Sequence, residues 1–318
     1  MTGRDLLAIS DLTTDGLRSI LEGAAILKVA HKQNIDHSVL KNKSLAMIFE
    51  KPSLRTRTTF EVGMLQLGGH SIDLAQEHLQ LGVRESISDI GRNLARWVDI
   101  VMARVFEHNT LEKLASSSSI PVINGLSDRS HPCQILADLF TIMETYGDFR
   151  DITVAYVGDG YNVANSLIAG CSMLGIPIRL SCPKGYEPSR SVIEHSLKAY
   201  PQANIEIMRD PFEAVTGANV VYTDSWISMG LEKDAKSRIK AFTKYQVNKE
   251  LMSRAENNAI FMHCLPAHRG QEVTDEVIDG PNSAVFEQAE NRLHVQKSLL
   301  VHTINGADTF KHIAETLR

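Results

Sequence analysis

Short apolar runs alternate with stretches of helical periodicity from about residue 44 onward. Leu45–Phe49 reads as a buried strand, followed by a turn at Glu50–Leu54 and a helix from about Thr56 to Leu67 that Gly68-Gly69 ends. Ile72–Leu74, Ile100–Val105 and Pro121–Ile123 read as further strands. Ser86 with Asp89 opens a helix to about Trp97, and Leu111–Ala115 is a shorter one that gives way to the serine run Ser116–Ser119. In Gln134–Tyr146 the apolar residues Ile135, Leu136, Leu139, Ile142 and Met143 keep helical spacing, and Gly147 stops the helix.

The alternation then starts again. Strands are expected at Ile152–Val157, Pro177–Ser181, Asn204–Met208, Val220–Thr223 and Ile260–Met262. Helices are expected at Val163–Leu174 and Ser189–Ala199, with a long last one from about Glu287 to His302. Strands that alternate with helices form parallel sheets covered on both sides. Two such series predict an α/β chain of two doubly wound parallel-sheet domains with helices on both faces, divided within the Gln134–Gly147 region.

Composition removes several classes. At 318 residues the chain suits about two domains, and 43% hydrophobic with 22% charged residues is ordinary globular composition. A net charge of −5 is poor for general nucleic-acid binding, although cations concentrated locally still hold an anion. No apolar run reaches the ~18 residues of a membrane span, and the polar N-terminal sequence does not read as a signal peptide. Cys133, Cys171, Cys182 and Cys264 lack C-x-x-C spacing and read as reduced thiols of a cytoplasmic protein.

In doubly wound sheets, ligands sit beyond the carboxyl ends of the strands. After the first strand, Ser53-Leu54-Arg55-Thr56-Arg57 opens a helix. Free N–H groups, two hydroxyls and a guanidinium fork make an anion cradle there. The plainer reading is a Ser53 helix cap with solvated arginines. Arg104, with His108 close behind, ends the third strand. His131-Pro132-Cys133-Gln134 comes after the fourth, and its His and Gln could both hydrogen-bond a carbonyl or simply pack at a helix start.

In the second series Gly158-Asp159-Gly160-Tyr161-Asn162-Val163 imitates a dinucleotide fingerprint, but Val163 occupies the third glycine position. A nicotinamide enzyme is therefore disfavoured, and Asn162 stays available for a polar ligand. Asp224-Ser225-Trp226-Ile227-Ser228-Met229-Gly230 puts a carboxylate at a strand end, where it can hold an ammonium group. The polar run Leu231–Lys236 after it is expected to form a closing loop, against a surface turn with Trp226 buried in the core. His263-Cys264-Leu265-Pro266 places a thiol at the last strand end, as nucleophile, base, ligand or inert core residue. With His268 the group suggests zinc, but a fourth ligand at recognisable spacing is missing. Glu290-Asn291-Arg292 adds a late cation.

Taken together, these segments resemble the aspartate/ornithine carbamoyltransferase family, and its ornithine-type members in the last two motifs. The resemblance runs from about Leu6 to the final helix through Phe49–Arg57, His131–Gln134, Asp224–Gly230 and His263–Pro266. It implies a carbamoyl-phosphate-binding domain at 1–138, joined by the C-terminal helix at about 288–318. An ornithine-binding domain at 139–287 and an active site in the interdomain cleft go with it. Ser53, Leu54, Arg55, Thr56, Gln80, Arg104, His131, Gln134, Cys264, Leu265 and Arg292 are the implied carbamoyl-phosphate residues. Asn162, Asp224, Ser228 and Met229 are the implied ornithine residues, and Arg104, His131, Asp224 and Cys264 the implied catalytic set. Leu54 stands where many relatives have Thr, yet its backbone N–H remains.

The implied reaction is carbamoyl transfer from carbamoyl phosphate to the δ-amine of L-ornithine, giving L-citrulline and phosphate in arginine metabolism. It requires no metal and no redox cofactor. The resemblance further implies a homotrimer, or an assembly of trimers, in which Gln80 of Leu79-Gln80-Leu81-Gly82 reaches a neighbouring site. The competing readings are a carbamoyltransferase for N-acetylornithine or putrescine and a non-catalytic anion-binding protein of the same fold.

Overall fold

A computed structural model describes residues 2–75, 79, 81–228, 230 and 232–317. Gln80, Met229 and Leu231, all named above, lie outside the described residues. The chain divides into two units: residues 1–140 with 290–318, and residues 141–289.

The first unit opens with α1 (Thr14–Lys32), capped by the Thr13 side chain on the Gly16 N–H. There follow β1 (Ser44–Phe49), α2 (Leu54–Gln66), β2 (His70–Ala75), α3 (Ile87–Leu94), β3 (Ile100–Arg104), α4 (His108–Ser117), β4 (Val122–Leu126) and α5 (Pro132–Tyr146). The strands form a parallel sheet in the order β2-β1-β3-β4. Every residue of β1 and β3 is buried, as expected of strands covered on both faces. Strand order reverses between β1 and β3, so the chain leaves these two neighbours in opposite directions. The loops beyond their carboxyl ends, at Ser53 and Arg104, flank that switch point.

The second unit contains β5 (Val154–Val157), α6 (Asn162–Leu174), β6 (Ile178–Ser181), α7 (Arg190–Ala199), β7 (Ile205–Met208), α8 (Pro211–Val215) and β8 (Val220–Thr223). It continues with α9 (Ala235–Phe242), α10 (Lys249–Met252), β9 (Ile260–His263) and α11 (Asp275–Ile278). Its parallel sheet has the order β7-β6-β5-β8-β9. The switch falls between β5 and β8, where the Gly158 and Asp224 loops emerge. The edge strand β7 is the most exposed of this sheet, with Glu206 and Ile207 facing solvent. Helix α12 (Val285–Ile304) carries the chain back to the first unit, and α13 (Thr309–Thr316) packs beside α1 there.

Two expectations change. The pattern from residue 44 onward omits α1, although Leu17, Ile20, Leu21, Ala24 and Leu27 are buried at helical spacing. The expected closing loop at Leu231–Lys236 is helical from Glu232: a 3₁₀ turn at Glu232–Asp234 leads into α9. Helix α9 fixes that turn, because its Arg238 and Phe242 are buried and hold it against the sheet.

Candidate active site

Ser53 is the N-cap of α2, and its hydroxyl accepts from the Thr56 N–H at 3.3 Å. The first turn of α2 carries no acidic residue, so nothing there competes with an anion for the remaining N–H groups. Leu54 is 77% exposed and contributes backbone only. Arg55 is half-buried. Arg57 is turned away: it pairs with Asp73 and lies over the Phe49 ring at 4.6 Å.

Thr56 is the centre of this set. Its Oγ1 accepts from Arg292 Nη2 at 3.1 Å and from Arg104 Nη1 at 3.5 Å. Two guanidinium donors fill both acceptor positions of the hydroxyl, so its own proton is left to donate. Arg104 ends β3 where the register against β4 shifts, Ala103 facing Asn124 and Arg104 facing Leu126. Such a bulge re-aims the side chain at a sheet end. Arg292 is 2% exposed and also gives Nη1 to Gln134 Oε1 at 2.7 Å.

His131 is buried, and its ring is held well below the usual histidine range. Burial is the main cause, and the guanidiniums of Arg292, Arg104 and Arg55 add to it. The imidazole is therefore neutral at neutral pH and donates one N–H. His108 takes no part: its Nδ1 is 2.8 Å from Ser127 Oγ, and its backbone N–H donates to Asp128.

In the second unit the Asp224 carboxylate, 8% exposed, accepts the Cys264 thiol at 2.9 Å and the Ser225 N–H at 2.7 Å. Burial raises the Cys133 and Cys182 thiols to about 12, which makes them inert at neutral pH. Cys264 is the partly exposed one of the four free cysteines. Leu265 sits at φ 55 ahead of a cis bond to Pro266, and its N–H donates to His263 Nδ1 at 2.8 Å. The other ring nitrogen of His263 is 3.2 Å from the fully buried Glu272. Asn162 opens α6 and is buried, while Ser228 is half-buried four residues beyond Asp224.

Asp224, His263 and Cys264 place ligand atoms within 4.8 Å of one another, which recommends them as a metal group. Their bonding argues otherwise. Both His263 nitrogens are engaged, and the thiol is a donor to the carboxylate. The Gly-x-Gly turn does not fit a dinucleotide either: a Cβ at Gly160 would lie 2.2 Å from Pro188 N and 2.4 Å from Glu187 C. The space this glycine opens is filled by the protein's own backbone.

Sequence reasoning missed the supporting residues. Arg238 pairs with Asp159, donates Nε to the Trp226 carbonyl at 2.6 Å, and lies over Tyr186 and Phe242. It thus ties the Gly158 loop to the Asp224 loop. Burial holds Asp159 up at about 7, against the pull of Arg238. Glu272 and Asp138 were missed as well. Asp138 left a trace in its place four residues after Gln134 on a helix; Arg238 and Glu272 left none.

Two family models match the chain. The aspartate/ornithine carbamoyltransferase carbamoyl-P binding domain covers residues 4–144, and the Asp/Orn binding domain of the same family covers residues 150–303. An ornithine carbamoyltransferase of Thermococcus kodakarensis is 51% identical over 96% of this chain and 98% of its own. The anabolic ornithine carbamoyltransferase of Pyrococcus furiosus is 50% identical, again over 96% and 98%. The solved ornithine carbamoyltransferase structure from Pyrococcus furiosus superposes with a TM-score of 0.93 over 96% of this chain and 98% of that one. A mitochondrial ornithine carbamoyltransferase from Coccidioides immitis, 34% identical, gives 0.88 over 98% and 99%.

Proposed function

The chain belongs to the aspartate/ornithine carbamoyltransferase family, and from that premise we propose how its residues divide the work. The reaction is transfer of the carbamoyl group of carbamoyl phosphate to the δ-amine of L-ornithine, giving L-citrulline and phosphate. One observation carries the assignment: a threonine hydroxyl at an acid-free helix N-terminus, gripped by two guanidiniums.

The phosphate dianion goes to the N–H groups of α2, the Ser53 hydroxyl, Arg55 and Arg104. The carbonyl oxygen, which gains charge as the amine attacks, takes the neutral His131 N–H, the Thr56 hydroxyl and Arg104. The carbamoyl NH₂ end is assigned to the Gln134 Oε1 and Leu265 carbonyl acceptors, with Arg292, a donor only, at the junction of the two substrates. Ornithine is bound by Asn162, Asp224, Ser228 and Met229, the last outside the described residues.

Two protons must leave the δ-nitrogen. The ammonium loses one before attack, and Asp224, already a hydrogen-bond acceptor for Cys264, is the base in that set. The second leaves after the new C–N bond forms and departs on the leaving phosphate. Binding both substrates at once supplies the entropic share of the acceleration.

The biosynthetic direction is supported by the anabolic relative of Pyrococcus furiosus. A cytoplasmic location is supported by four free cysteines; among the described residues no helix is long and apolar enough to cross a membrane. The Leu79–Gly82 segment supports a homotrimer with Gln80 serving a neighbouring site.

The test is citrulline or analogous product formation with ornithine, N-acetylornithine, putrescine, lysine and aspartate. Strong preference for ornithine is expected. Preference for N-acetylornithine or putrescine would overturn the second-substrate assignments while keeping the phosphate cradle.

A further inference from the structure

We propose that Asp138 is a positioning residue that locks Gln134 as a hydrogen-bond acceptor and so selects a carbamoyl group over acyl groups lacking an N–H. The inference rests on the carbamoyl-phosphate reading above.

Gln134 and Asp138 stand one turn apart on α5 and project from one face. Asp138 is 0% exposed and Gln134 is 1% exposed. A carboxylate this deep requires hydrogen-bond partners, and its Oδ1 accepts from Gln134 Nε2 at 2.8 Å. That bond decides the direction of the glutamine amide. The two ends of an amide have nearly the same shape and opposite hydrogen-bonding character. With its NH₂ turned to Asp138, Gln134 turns its oxygen to Arg292, which donates at 2.7 Å. The reversed amide would set NH₂ against a guanidinium and oxygen against a carboxylate, two mismatches at once.

Donors and acceptors therefore alternate from Asp138 through Gln134 and Arg292 to the Thr56 hydroxyl at the start of α2. Arg292 is further held by Gln296, whose amide oxygen accepts from its Nη2 at 2.8 Å when oriented to satisfy both residues. The guanidinium is thus fixed from several sides, and Gln134 cannot turn it. Gln134 Oε1 keeps a second acceptor position beside the one Arg292 occupies. A carbamoyl group offers an NH₂ to that position. An acetyl group of similar size offers a methyl.

The experiment compares wild type, D138N and the double variant D138N/Q134E. Each is assayed for the KM of carbamoyl phosphate, the Ki of acetyl phosphate as competitor, and the KM of ornithine. In D138N the side chain at 138 can donate as well as accept, so only the Arg292 contact still sets the direction of the Gln134 amide. The KM for carbamoyl phosphate is expected to rise by up to ~tenfold, the upper size of one lost neutral hydrogen bond, while the Ki for acetyl phosphate moves under about threefold. The ornithine KM stays near wild type. In the double variant, the amide introduced at position 138 donates to the carboxylate introduced at position 134, whose other oxygen accepts from Arg292. The ratio of the two constants should then return to within about threefold of wild type. A loosened helix would shift both constants together and would not be repaired by a second substitution.

An unchanged ratio in D138N, or a double variant no nearer to wild type than the single, overturns the proposal. If circular dichroism shows both variants unfolded, Asp138 is a folding residue and the positioning role is rejected. Failure of wild type to use carbamoyl phosphate would instead reject the underlying reading, before any variant is compared.

Discussion

His131 has its role decided by its neighbours. Burial, with three guanidiniums beside it, keeps the ring neutral, so it is proposed to polarise the carbonyl by donating and contributes no titration step near pH 7. Replacing it with Gln should lower kcat by ~10²–10³, the usual effect of removing one oxyanion donor, with a smaller change in the KM of carbamoyl phosphate. Stopped-time citrulline assays from pH 6 to 8 should show no His131-dependent inflection in wild type. Much of this set was legible because each member lies where a strand closes and a helix opens: Ser53, Thr56, Arg104 and His131 all stand at or just past the end of an apolar run. What was hidden is pairing across sequence. Arg292 meets Gln134 from 158 residues away, and nothing local marks either as the other's partner. Local pattern also could not separate Arg55 from Arg57, which Asp73 claims.

At the scale of elements, strands such as β1, β3, β5 and β8 were legible as apolar runs, because a parallel sheet buries both their faces, whereas the edge strand β7 leaves Glu206 exposed. Helix α1 was overlooked because it precedes the first strand and so falls outside the strand–helix alternation. The 231–236 segment was read from its polar sequence alone, whereas the buried Arg238 and Phe242 farther along anchor the helix that follows it. Gly160 shows how an element sets its loop. Gly160→Ala should destabilise the protein by ~1–3 kcal/mol, since backbone rather than a mobile side chain blocks the new methyl. Thermal melting checks this. Gly175→Ala, at a left-handed cap with nothing within 4 Å, isolates the cost of positive φ from that of the clash.

Over the whole molecule, buried neutral histidines link stability to pH. His294 is 1% exposed and its ring is lowered to about 3 by burial and by Lys297, Lys28, His31 and Lys32. Below pH 6.5 the unfolded chain protonates this ring while the folded one does not, so stability is lost as pH falls from 6.5 towards 3. At pH 5 the loss from His294 is ~2 kcal/mol relative to neutral pH. His37, His108, His131 and His302 are lowered in the same direction, while Asp159, held up at about 7, opposes them. The drop in Tm between pH 7 and pH 5 should therefore shrink in His294→Gln. A drop equal to wild type would mean the ring takes up its proton in the folded state.

The central claim is that Ser53, Arg55, Thr56, Arg104 and His131 of the first unit hold the phosphate and carbonyl of carbamoyl phosphate, while Asn162, Asp224 and Ser228 of the second hold ornithine. Steady-state citrulline kinetics on Arg55→Ala and Cys264→Ala test it most directly. Arg55→Ala should raise the KM of carbamoyl phosphate ~100-fold, as the loss of a charged fork to a dianion implies, and leave the ornithine KM within about threefold. Cys264→Ala should do the reverse, impairing ornithine use ~tenfold at near-constant carbamoyl phosphate KM, because it removes a hydrogen bond to the Asp224 carboxylate. Equal shifts in both constants for either variant, or shifts in the opposite sense, would contradict the division.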